Sequence, residues 1–103
     1  MSLGRTPFEK ELFLRVDEIL HYVWDPINIR DEPAVRDEYS SYVLPIAGLL
    51  LSNATASVIA AGLADIETKR MGFDETPQLL EHSMVVAELL FSWKEFLDER
   101  HHG

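Results

Sequence analysis

Apolar residues recur every three or four positions along most of this chain, and the repeat breaks only where proline, glycine or asparagine interrupts it. Four segments carry the repeat, which predicts four helices. In the first, Phe8, Leu12, Val16, Ile19, Leu20 and Val23 form one stripe, while Phe13 and Leu14 lie off it and widen the face or mark a surface that another chain covers. Thr6-Pro7-Phe8-Glu9 has capping-box spacing, with proline where a missing N–H does no harm, so the helix is expected to start at Thr6. It is expected to end near Trp24, because the residue before Pro26 is pushed out of the helical region.

A second stripe runs from about Pro33 through Val35, Tyr39, Tyr42, Val43, Ile46, Leu49 and Leu50. Its phase passes through Pro45 unbroken, which predicts one helix kinked at Pro45. Asn53 is expected to close this helix in a left-handed conformation, and Thr55 to cap the next. In the third helix Ile59, Leu63, Ile66 and Arg70 fall on one line. Gly62, in an alanine-rich stretch, predicts close approach of another helix. Met71-Gly72-Phe73 is the stop signal. Thr76-Pro77 restarts a helix that is expected to reach about Arg100, with Leu79, Leu80, Met84, Ala87, Leu90, Phe91, Trp93 and Leu97 on a wide apolar face, widened further by Val86, Leu89 and Phe96. A face that broad predicts a central position in the bundle or burial in a dimer. No strand alternation competes. The reading is therefore an all-α fold: residues 1–103 form a single domain, a compact antiparallel bundle of four helices, the second kinked at Pro45.

Composition narrows the functional classes. At 103 residues and 47% apolar content, one core is feasible. The absence of cysteine excludes disulfides, thiolate metal sites and a cysteine nucleophile, and fits the cytoplasm. No signal peptide is read at the N-terminus, and no apolar run approaches the roughly 20 residues that span a membrane. Met1-Ser2-Leu3 and His101-His102-Gly103 have the look of appended residues and are given no function. The net charge is −9, with no basic patch, so nucleic acid is not an expected partner. The charge is uneven. From residue 74 onward there are seven acids and two bases, whereas residues 54–73 are neutral.

The densest set of unusual residues spans Trp24 to Tyr42. Trp24-Asp25-Pro26 reads as a corner in which Trp24 anchors, Asp25 caps and Pro26 stops. Ile27 and Ile29 are expected to face inward. Tyr22, Tyr39 and Tyr42 are candidates to gather around Trp24 and seal one end of the core; the functional counterpart is a pocket walled by aromatics. Trp24, Asp25, Pro26, Asp37, Tyr39 and Tyr42 together are the structural corner or candidate interaction site. Asp37 and Glu38 diverge by about 100° on a helix and do not converge on one pocket. His21 and Asp17, four apart, can share a face. A metal site from His21, Asp25, Asp37 and Glu38 has no recognised ligand spacing, so no metal and no cofactor are assigned. The serines lack a nucleophile-elbow context, and His82 reads as a surface or half-buried residue. No catalytic residues are expected.

The ordered string Trp24-Asp25-Pro26-Ile27, Asp37-Glu38-Tyr39, Tyr42-Val43, Ile66-Glu67 and Arg70-Met71-Gly72-Phe73 resembles a family of small uncharacterised bacterial proteins. In that family glycine is common at the positions of Asn28 and Asn53, and proline often stands at the position of Leu44. The resemblance implies a bacterial cytoplasmic protein with a shared fold and no named activity. The leading functional expectation is a non-enzymatic interaction module that forms a homodimer through its last helix. The alternatives are an inhibitor or immunity-type protein that binds a basic partner, and a carboxylate–histidine metal-dependent enzyme.

Overall fold

The structure, a computed structural model, describes residues 6–24 and 41–102. Helix α1 covers Pro7–Ile19 and runs into a π-helical turn at Leu20–Trp24. Helix α2 covers Val43–Leu51, α3 covers Ala56–Asp65 with a π-helical turn at Ile66–Arg70, and α4 covers Pro77–His102. The fold is all-α. Helices adjacent in sequence are adjacent in space, and α4 closes the ring by packing on α1 as well as α3.

The helix ends follow from local chemistry. Thr6 and Glu9 form a reciprocal capping box, with bonds of 3.0 and 3.1 Å. The hydroxyls of Thr55 and Thr76 accept from Val58 and Leu79 at 3.3 and 3.1 Å, starting α3 and α4 where expected. Asn53, at φ 63°, closes α2: its N–H donates to the Leu50 carbonyl and that of Ala54 to Leu49, the paired bonds of a Schellman motif. Gly72, at φ 79°, ends the π turn. There the Phe73 N–H reaches back to the Glu67 carbonyl at 2.9 Å, one residue further than in a Schellman motif.

The core is built by Leu12, Val16 and Leu20 from the first helix, Ile46 and Leu50 from the second, Ile59 and Leu63 from the third, and Val86, Leu90 and Leu97 from the fourth, all essentially sealed from solvent. Each such side chain contributes about 1.5–3 kcal/mol of hydrophobic stabilisation. A Cβ built on Gly62 would lie 3.2 Å from the Leu49 Cδ1, so the glycine does mark a close approach, here of α3 to α2. Pro45 is the third residue of α2, within the first turn, where no intrahelical N–H is required. The kink expected at Pro45 therefore falls at a helix start, after a turn at Ser41 and Tyr42, and the rod expected before it, residues 33–40, lies outside the described residues.

Two stripes depart from the expected phase. Val23 was expected inside but is 40% exposed, whereas His21 and Trp24 are buried. The π turn holds more residues per turn than an α-helix, so the inward position slips from Val23 to Trp24. Arg70, expected on the apolar line of α3, is exposed, and Glu67 is buried in the second π turn.

Candidate functional site

Both π turns lie at the same end of the bundle, and the start of α4 meets them there. The indole Nε1–H of Trp24 donates to Glu67 Oε1 at 2.7 Å. The hydroxyl of Ser83, on α4, donates to the same oxygen at 3.3 Å. The Trp24 ring stands edge-on to Tyr42, with centroids 6.1 Å apart and planes at 88°. One carboxylate and one indole therefore join the ends of α1 and α3 to the starts of α2 and α4. Trp24, Tyr42, Glu67 and Ser83 are all buried.

The surroundings of this tie are polar at its rim. His82 is exposed, and its Nε2–H donates to the Trp24 carbonyl at 3.2 Å. The Arg70 guanidinium lies 5.9 Å from the Tyr42 ring centroid, within reach of a cation–π contact. His21, 1% exposed, donates from Nδ1 to the Asp17 carbonyl at 2.9 Å, and the Asp17 carboxylate lies 3.3 Å from the same nitrogen. Burial pushes the Glu67 carboxyl above the usual carboxylate range. The Trp24 and Ser83 donors and the nearby His82 oppose that rise without cancelling it.

Of the residues expected at the corner, Trp24 and Tyr42 do meet. Tyr22 does not join them: it is 58% exposed, its ring 6.3 Å from that of His21. Asp25, Pro26, Asp37 and Tyr39 lie outside the described residues, as do Glu38 and the inward-facing Ile27 and Ile29. So do three of the four residues considered for a metal site. Among the described residues no group of three or more histidine, aspartate or glutamate side chains is placed to hold a metal ion.

Glu67 was not singled out from the sequence as a site residue. A signal was present, because it follows Ala60 by seven positions and Leu63 by four, on the buried side of α3. An acid at a core position calls for a donor, and the donor is an indole 43 residues away. The chemistry available is that of a tie. Glu67 holds a carboxyl group against two donors, an indole N–H and a serine hydroxyl, in a sealed site.

A second candidate surface has the opposite character. The outer side of α4 leaves Val85 at 54% and Phe96 at 55% exposure, with Leu89 and Trp93 half-buried between them. Leu89, Ser92, Trp93 and Phe96 line a shallow apolar depression of about 250 Å³. The Phe96 ring meets Trp93 edge-on at 5.5 Å, and the Arg15 guanidinium from α1 sits 5.4 Å from the Trp93 ring. Among the described residues the buried Arg15 Nε has no hydrogen-bond partner. Leu80, expected on the buried face, is 44% exposed, so the broad apolar face of α4 is only partly used by the bundle. Among the described residues no helix is long and apolar enough to cross a membrane.

Comparison with protein-family models, curated proteins and solved structures finds no match. The chemistry of the two surfaces is accordingly the basis for a functional reading.

Proposed function

We propose that this chain is a non-enzymatic protein-interaction module that self-associates through the outer side of α4. The observation that carries the reading is the apolar stripe of Val85, Leu89, Trp93 and Phe96, which the described residues leave exposed at Val85 and Phe96 and only half-buried at Leu89 and Trp93. Exposed leucines and valines elsewhere, such as Leu14, Leu44 and Val58, stand on three other helices and have the scatter usual for a soluble surface. A second copy covers a helix face by symmetry, with one patch serving both partners. The resemblance to small bacterial proteins agrees with a cytoplasmic setting, which belongs to the same proposal. Light scattering from micromolar to millimolar concentration tests it. A mass that rises to twice that of the chain is the expected result, and a constant monomer mass would refute it.

A second reading, an inhibitor-type protein that binds a basic partner, is favoured by the net charge of −9 and by the exposed Glu81, Glu88 and Glu95 beside the stripe. Its signature is binding that weakens steeply as salt is added.

A further inference from the structure

The two ends of the bundle are fastened by different chemistry. At one end Lys94 Nζ donates to Asn53 Oδ1 at 2.8 Å, and His101 pairs with Glu11 at 2.8 Å. The other end has Glu67 at its centre. Its Oε1 accepts from Trp24 at the close of the first π turn and from Ser83 on α4, and Trp24 in turn meets Tyr42 at the start of α2. The Trp24 carbonyl accepts from His82 Nε2. The indole N–H and the carbonyl of Trp24 are thus each bonded to an ionisable side chain from another helix.

Of these two side chains, Glu67 is the one that a proton switches. His82 donates from Nε2–H whether its ring is neutral or charged. Glu67 accepts in either state, but its ionised form places a full charge in a site that is 5% exposed. Burial is the strongest influence on its carboxyl and raises it, against the Trp24 and Ser83 donors and His82. Of the described ionisable groups, His82 on α4 is the one whose charge acts on Glu67, and it favours ionisation. The others at this end are engaged elsewhere or stand in solvent. His21 of the first π turn is bonded to the Asp17 carbonyl, beside the Asp17 carboxylate. On α3 and its π turn, Lys69 pairs with Asp65, and Arg70 lies over the Tyr42 ring. Asp74, Glu75 and Glu81 are exposed, and Val43–Leu51 of α2 contains no ionisable side chain. Linkage then fixes the direction. The closed site holds the Glu67 proton more tightly than any state in which that carboxyl reaches water, so a rise in pH between the two values favours the opened state. Parting Trp24 from Glu67 is the smallest such movement, because the bonds at the far end, and the buried Leu12, Leu50 and Leu97 beside them, do not depend on it.

We propose that the π-turn end of the bundle is a proton-linked latch: protonated Glu67 keeps it shut, and ionised Glu67 frees Trp24 while the far end of the bundle stays packed. Opening uncovers the Trp24–Tyr42 pair beside the Arg70 guanidinium, an aromatic surface with a cation at its edge. Hydrogen–deuterium exchange of the full chain, followed by NMR from mildly acidic to mildly alkaline pH, tests this once each rate is divided by the intrinsic rate at that pH. The Trp24 indole N–H is expected to be at least about tenfold less protected than the amides of Leu50 and Leu97, which exchange only on global unfolding. Its protection is expected to fall as pH rises, by up to about tenfold per pH unit within the window where Glu67 ionises. In Glu67→Gln, which keeps an acceptor but has no proton to lose, it is expected to be flat. Ser83→Ala removes a donor that favours the ionised form and is expected to move the window to higher pH. Equal protection of the indole and the two amides would mean that this end opens only with the whole chain, which overturns the latch. So does an indole protection that is constant with pH in the wild type, or that varies alike in wild type and Glu67→Gln. Should Glu67→Gln fail to fold, an unmoved window in Ser83→Ala overturns it.

Discussion

The two ends of the functional question invert each other. At the π-turn end of the bundle a carboxylate is held inside the protein, 5% exposed, by an indole and a hydroxyl. Along the outer side of α4, phenylalanine and valine stand more than half exposed in water. Burying a carboxyl group and exposing large apolar side chains are both unfavourable by themselves. The difference between them lies in what compensates. Glu67 finds its donors within the chain, and they offset part of its burial cost on folding. The α4 stripe has no full cover among the described residues, and the proposed function assigns that cover to a second copy. A buried polar group with satisfied bonds therefore points inward, to the fold, whereas an uncovered apolar stripe points outward, to a partner.

The sharpest way to break the comparison is to remove the indole. Trp24→Ala deletes a fully buried ring and the shorter of the two hydrogen bonds to Glu67, and is expected to cost about 3–5 kcal/mol in urea denaturation. Trp24→Phe keeps most of the volume and removes only the donor, with an expected loss of about 1–3 kcal/mol. If Trp24→Phe lost no stability, the hydrogen bond to Glu67 would contribute nothing beyond packing.

The next effect is in pH. The carboxyl of Glu67 is raised in the folded state, so the native protein holds its proton to higher pH than the unfolded chain does. Between the ordinary unfolded value and the raised folded value the native state binds more protons, and stability falls as pH increases. The Glu67 contribution is thus most favourable below the unfolded pKa and is lost by the time pH exceeds the folded one. Urea midpoints across mildly acidic to neutral pH should show this slope in the wild type and a flatter one in Glu67→Gln. An unchanged slope in the variant would mean that another group titrates.

A smaller effect separates local from long-range causes. Thr55→Ala and Thr76→Ala remove helix caps and should each cost about 1 kcal/mol without altering association. A change in oligomer mass in either variant would mean that the two regions are coupled.

These local caps also explain how much of the molecule was legible beforehand. Thr6, Thr55, Thr76, Asn53 and Gly72 each act within a few residues of themselves, and each does what its sequence context predicts. Gly62 was legible for a related reason, because a missing side chain in a helix has few explanations other than close approach. The candidate site was legible only in part. Trp24 and Tyr42 were expected to pack together and do. The burial of Trp24 in place of Val23 follows from a π turn, which a period of 3.6 residues does not anticipate. Glu67 pairs with Trp24 across 43 residues, and nothing local to either residue specifies the other. The wide apolar face of α4 was expected to be central in the bundle or buried in a dimer; it packs on both α1 and α3 and leaves Val85 and Phe96 exposed. Which part would be left outside depended on packing angles that sequence spacing does not carry.

The claim on which the functional reading depends is that the α4 stripe is a working surface, unlike the solitary exposed leucines. Light scattering on Phe96→Glu beside Leu44→Glu puts this most directly, since Phe96 is 55% and Leu44 59% exposed and neither is needed in the core. The account predicts that wild type and Leu44→Glu are dimers at the same concentration while Phe96→Glu is a folded monomer. Three identical masses, whether monomer or dimer, would contradict it.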